Sequence, residues 1–140
     1  MTRPYDWRQA QEAQATARAE QRASEAWVID SWKAYAAAEQ AYRQALATKI
    51  VQLKADGLAV TAAGDVARGD PKIAHLKYLR DVAEGTKEAA VMGGWRASKN
   101  RNAAQTFLEW SCRRDLAEYH GQAPEREPAD PTVYGKVRAE

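Results

Sequence analysis

Few side chains in this sequence could do covalent or metal chemistry. The two histidines, His75 and His120, stand alone: neither has a Cys, a His or a carboxylate at a ligand spacing such as i, i+4. A polar helix face accounts for them, so no metal is expected. Cys112 falls on the apolar side of its segment, with Leu108 and Leu116 four residues away on either side, where a small buried hydrophobe is the ordinary role. Lys77, Asp81, Glu84 and Glu88 share one face of a helix and include carboxylates that general acid–base work would need. Their i, i+3 and i, i+4 spacing with mixed sign reads instead as a solvated salt-bridge face. Gly85, Gly93 and Gly94 form no phosphate loop, because the preceding strand and the Gly-Lys-Ser/Thr ending are both missing. Arg68-Gly69-Asp70 spells an adhesion tripeptide, but a turn glycine followed by a helix cap explains it. The residue set of a self-contained enzyme is absent from this pattern, and no cofactor is expected.

The remaining candidate chemistry is electrostatic. From Ala89 to Leu108 there is no acidic residue, while Arg96, Lys99 and Arg101 are present and Glu88 and Glu109 flank the stretch. Trp95 adds an aromatic face, and Asn100, Asn102 and Gln105 add neutral hydrogen-bonding groups. Cations neutralise phosphates and an aromatic ring stacks on any base, a combination suited to single-strand binding without sequence preference. On a helix Trp95, Lys99 and Asn102 share a face that Arg96 borders, while Arg101 points roughly 140° from Arg96. The competing reading is an exposed interhelical elbow of ordinary polarity.

These residues need helices to position them, and the sequence is rich in helix signals. From Trp7 to Asp56 there is neither Gly nor Pro, and Asp6 with Gln9 resembles a capping box. Fifty helical residues would span about 75 Å, long for a helix of a compact monomer. Up to about Glu25 only alanine is offered for burial, so residues 1–26 are expected to fray or to pack only on oligomerisation. Beyond them Val28, Trp32, Tyr35, Glu39, Tyr42, Leu46, Lys49 and Leu53 alternate spacings of four and three. That is a coiled-coil-like seam with charged interruptions at Glu39 and Lys49. Val28, Trp32, Tyr35, Tyr42, Leu46 and Leu53 are its candidate contacts, within the fold or between copies.

Gly57 reads as the residue that ends this helix. A connector follows, in which Thr61 caps a short turn reaching Ala67, with Gly64 and Gly69 limiting its length. Asp70 and Pro71 start a new helix as N-cap and first helical residue, and Gly93-Gly94 is expected to break or kink it. A last helix runs from near Trp95 to His120 and Gly121 ends it. Pro124, Pro128 and Pro131 make residues 122–140 a disordered tail. The expected fold is all-α: a long N-terminal helix, then a helical hairpin or bundle, as a single domain over residues 1–121.

Composition sets the bounds. Leu, Ile, Val and Phe number 19, roughly 14% of the chain, a thin core by the usual standard. Five Trp and six Tyr offset this, since each buries a large area. The formal net charge is +2 and charge is nearly balanced in every third of the chain, so a global basic field is missing and any nucleic-acid contact must be local. A single cysteine excludes an internal disulfide framework and fits a reducing compartment. The N-terminus does not read as a secretory signal and no apolar run suggests a membrane span. The expectation is a cytoplasmic protein that buries its stripes partly against other copies of itself.

One stretch carries a resemblance. Ala47, Lys49, Val51, Leu53, Lys54 and Ala55, at the end of the first long helix, look like a segment in the recombination mediators of tailed phages. Those are small helical proteins that assemble into rings, bind single-stranded DNA and help to load a recombinase. Carried over, the resemblance implies that Lys49 and Lys54 contact the DNA backbone; here Asp56 follows Ala55 where the family has a basic residue. The family also has a later helix with a Trp and a basic turn, which Trp95 to Arg101 resembles. The combined expectation is an oligomeric accessory protein, phage-encoded and working in the bacterial or phage-infected cytoplasm. It would bind single-stranded DNA through Lys49, Lys54, Trp95, Arg96, Lys99 and Arg101 and assist a recombinase. The alternative is a purely protein-binding helical assembly factor, or an inhibitor of a host protein, acting through the seam.

Overall fold

The computed structural model describes residues 7–121; the expected capping box at Asp6 and the tail from Gln122 onward lie outside them. Three helices occur in the order α1 (Trp7–Ala55), α2 (Val60–Gly69) and α3 (Pro71–Tyr119), with no strand among the described residues. The all-α class and the long first helix are as expected. None of these helices is long and apolar enough to cross a membrane.

The ends of the helices follow local chemistry. After α1 the Gly57 N–H donates to the Lys54 carbonyl and the Leu58 N–H to the Leu53 carbonyl, both at 3.1 Å. This double closure requires a left-handed residue, and Gly57 adopts φ +92°. Asp70 accepts from the Lys72 N–H at 2.9 Å and the Ile73 N–H at 3.4 Å through Oδ1, capping α3 with Pro71 in its first turn. Gly121, at φ +68°, follows the end of α3.

Two expectations are corrected. The connector is a ten-residue helix that starts at Val60 and runs through Gly64 to Gly69, and Ala59, without a side-chain cap bond, precedes it in place of Thr61. α2 buries Ala63 and Ala67, and this packing holds a helix whose local signals are weak. The second correction concerns Gly93-Gly94, through which α3 passes without a break. Each glycine costs about 1 kcal/mol relative to alanine in a helix, and neighbours such as Ala89, Ala90, Met92 and Ala97 are good helix formers that outweigh it. Both glycines are half-buried.

A seven-residue repeat of small side chains organises both long helices. In α1 it runs Ala10, Ala17, Ser24, Ser31, Ala38 and Ala45; in α3 it runs Ala83, Ala90, Ala97, Ala104 and Ser111. Every one of these positions is buried or half-buried. A period of seven keeps one line of a helix facing its neighbour, and small side chains on that line let two backbones approach closely. The residues fall into two compact units. Unit 1 takes α1 up to Ala26 and α3 from Met92; unit 2 is Trp27–Val91.

In unit 1 Ala10, Phe107 and Trp110 form a buried cluster with Leu108 packed against it. Gln14 donates through Nε2 to Gln105 Oε1, tying α1 to α3. Residues 7–26 are helical within α1 and bury Ala10 and Ala17. In unit 2 the buried apolar side chains are Ala63, Ala67, Ile73 and Ala90, all but Ile73 small. Half-buried aliphatic residues such as Leu46, Leu53 and Leu76 and long polar and aromatic groups complete the unit.

Candidate nucleic-acid interface

The seam of unit 2 is laced with charge–charge and cation–ring contacts. Glu39 and Lys49, the two charged interruptions of the α1 stripe, each meet a partner of opposite sign. Arg80 Nε lies 3.6 Å from Glu39 Oε2, and Lys49 Nζ lies 3.3 Å from Asp70 Oδ2. Arg80 also donates to Asp81 through Nε at 2.9 Å and Nη2 at 2.6 Å, and its guanidinium sits 5.0 Å from the Tyr42 ring centre. The Asp81 bond, then the nearby carboxylates of Asp81 and Glu39, raise the Arg80 pKa further. The Lys49 ammonium holds the Asp70 carboxyl below the usual carboxylate range, and the two cap N–H bonds act in the same direction.

The aromatic stripe is used in the same seam. Lys87 Nζ is 4.4 Å from the Trp32 ring centre and 4.1 Å from that of Tyr35, and the two rings meet edge to face at 6.5 Å. A shared ammonium over two rings is a cation–π contact worth roughly 0.5–2 kcal/mol. The partners run antiparallel, since Trp32 and Tyr35 meet Lys87 while the later Tyr42 meets Arg80. Val28, Tyr35, Tyr42, Leu46 and Leu53 are half-buried, as a seam requires. Trp32 remains 50% exposed, and the buried position beside it is Ser31 of the seven-residue repeat. The stripe, a candidate contact within the fold or between copies, packs in part against α3 of the same chain.

Unit 1 pairs Arg114 with Asp115 at 3.1 Å but leaves several of its other cations without an acid among the described residues. Ala97 and Ala104 are buried on the inner line of α3, so Trp95, Lys99 and Asn102 fall on its outer side and are exposed. Trp95 is 64% exposed. Arg96 is exposed on the border of that face. Arg101 stands only about 40° from the line of Ala97 by the helical period and emerges beside α1, where it lines a shallow groove with Arg18, Gln21, Arg22 and Glu25. Arg18, Arg22, Arg96, Lys99 and Arg101 have no acidic partner among the described residues.

Of the six residues expected to touch DNA, Trp95, Arg96, Lys99 and Arg101 belong to unit 1 and Lys49 and Lys54 to unit 2. Trp95, Arg96 and Lys99 form one outer face, and Arg101 turns away from it as its angle predicts. Lys54 is exposed in the last turn of α1, whereas Lys49 is paired with Asp70. Arg18 and Arg22 were not singled out from the sequence. Their i, i+4 spacing was a usable signal, but Glu20 and Glu25 balance them along the chain, and Arg101 joins them only in three dimensions.

Cys112 is exposed, beside Leu108, Glu109 and Arg113, and not on a buried face as its spacing suggested. Among the described residues no group of three or more His, Cys, Asp or Glu could hold a metal ion. Comparison of the chain with protein-family models, with curated proteins and with solved structures gives no match.

Proposed function

We propose that this chain is a non-catalytic helical protein that binds single-stranded DNA without sequence preference through unit 1. One observation carries the reading: Trp95 is 64% exposed on α3, beside Arg96 and Lys99, and neither cation has an acidic partner among the described residues. An exposed indole flanked by free cations offers stacking and phosphate neutralisation together. Lys49 is left out of the interface because Asp70 already holds it, and Lys54 is a peripheral contact. The resemblance to phage recombination mediators extends the proposal to a multi-subunit assembly that assists a recombinase in the cytoplasm.

The test is fluorescence anisotropy with labelled oligonucleotides at low salt, with light scattering of the same samples for mass. Single strands should bind better than duplex, because a paired base leaves Trp95 nothing to stack on. Trp95→Ala should weaken binding by about 1–3 kcal/mol. Lys77→Ala, on the mixed-charge face of unit 2, should change little. Absence of binding to strands longer than about 20 bases, well above the site size of one small binding fold, would sink the reading.

A second reading rests on a different surface. Tyr78, Leu79 and Val82 are exposed along α3 in unit 2, Tyr78 at 62%. An apolar strip of this kind suits a helical assembly factor or an inhibitor that docks on another protein. Tyr78→Ser/Val82→Ser would then abolish partner capture while leaving oligonucleotide binding intact.

A further inference from the structure

The geometry points to the groove of Arg18, Arg22 and Arg101 as a phosphate-binding subsite, which takes the backbone of the same single strand whose base stacks on Trp95. This inference rests on the single-strand reading above and adds a second helix to the interface. Three arginines line one shallow, polar groove, two from α1 and one from α3. Two like charges at i, i+4 disfavour a helix by roughly 0.2–0.5 kcal/mol, and Arg101 adds a third charge to that repulsion. No acidic partner among the described residues relieves them. The one carboxylate in the groove, Glu25, accepts the Gln21 amide N–H at 2.9 Å instead. Three arginines against one carboxylate leave the groove a net positive charge, and guanidinium forks match phosphate oxygens in geometry as well as sign.

Placement connects the groove to Trp95. Along α3 six residues separate Trp95 from Arg101, a rise of about 9 Å. Around the helix Arg101 stands between the outer face and α1, with Ser98 at an intermediate angle. A strand with one base on Trp95 can pass Ser98, place its next phosphates against Arg101, and continue over Arg22 and Arg18. Glu25 contributes selectivity of a simple kind: it favours a linear backbone lying along the three cations over a compact anion sitting on the carboxylate.

The test uses the full chain and three probes in separate titrations: a single-stranded oligonucleotide, an abasic deoxyribose-phosphate strand of the same length, and inorganic tripolyphosphate. Arg18→Ala/Arg22→Ala keeps helix propensity at two exposed positions, and circular dichroism checks that the helices remain. This variant and Arg101→Ala should each weaken the abasic strand at low salt, by roughly tenfold for the double change, and flatten the salt dependence. Trp95→Ala should weaken the base-bearing strand and leave the abasic one within about twofold, since it has no base to stack. Abasic-strand affinity that survives Arg18→Ala/Arg22→Ala overturns the groove and leaves the Trp95 face standing. Tripolyphosphate bound through the three arginines, with no binding of either strand, overturns both the strand path and the proposed function. If none of the probes binds, both proposals fall.

Discussion

In unit 2 the cations along the seam are answered from within the unit: Lys49 by Asp70, Arg80 by Glu39 and Asp81, Lys87 by the rings of Trp32 and Tyr35. In unit 1 five cations, Arg18, Arg22, Arg96, Lys99 and Arg101, face outward without an acid, while the buried Arg114 pairs with Asp115 and lies over the Trp110 ring beside Phe107. Both units use α1 and α3 on the same repeat of small residues, and unit 2 adds α2. Charge counted along the chain is nearly even throughout, so it does not distinguish them. What separates the seam of unit 2 from the outer face of unit 1 is which charges folding neutralises. The lesson is that a near-neutral protein can still carry a local field, provided its cations are met by acids or rings along an inner seam and left without acids on an outer face.

The comparison can be broken most severely at the apolar centre of unit 1. Phe107 is 2% exposed, and Phe107→Ala should cost about 3–5 kcal/mol in chemical denaturation. A loss below 1 kcal/mol would mean that unit 1 does not depend on this cluster. In unit 2 the corresponding apolar change, Ile73→Ala, should cost about 2–4 kcal/mol, and polar contacts should contribute visibly beside it. Arg80→Ala strips Glu39 and Tyr42 of their shared cation and should destabilise by about 1–2 kcal/mol. Part of that difference should vanish in 1 M salt, where the exposed share of the charge is screened. A salt-independent loss would assign the effect to packing of the arginine stem.

Smaller effects sharpen the picture. Lys87→Ala should remove about 0.5–2 kcal/mol and shift the emission of Trp32 measured in a background where the other four tryptophans are Phe. Unchanged emission would deny the ammonium its place over the ring. The smallest effect is in pH. The folded Asp70 carboxyl titrates below its unfolded value, so its contribution is fully present above about pH 4 and is lost as pH falls through the lowered folded value. Asp70→Asn should flatten the acid side of the stability curve in that window. Lys49→Met should flatten it partly, because the cap N–H bonds remain.

Much of the fold was legible because its signals are local. Gly57 ends α1, Asp70-Pro71 starts α3 and Gly121 follows its end, each through atoms within one turn of the chain. The seven-residue repeat of Ala and Ser was also written in the sequence, though the larger aromatic stripe beside it runs through Trp32 and not Ser31. Gly93-Gly94 misled because a propensity of about 1 kcal/mol per residue is smaller than the packing a long helix gains along its inner line. The candidate site was legible only in part. Spacing placed Trp95, Lys99 and Asn102 on one face and turned Arg101 aside, since angles within a helix follow from residue numbers. Only the tertiary structure decided that Lys49 meets Asp70, that Glu39 meets Arg80, and that Arg101 stands with Arg18 and Arg22. Those pairings join residues between 21 and 83 positions apart, and they depend on how two helices align, which no single turn of either helix contains.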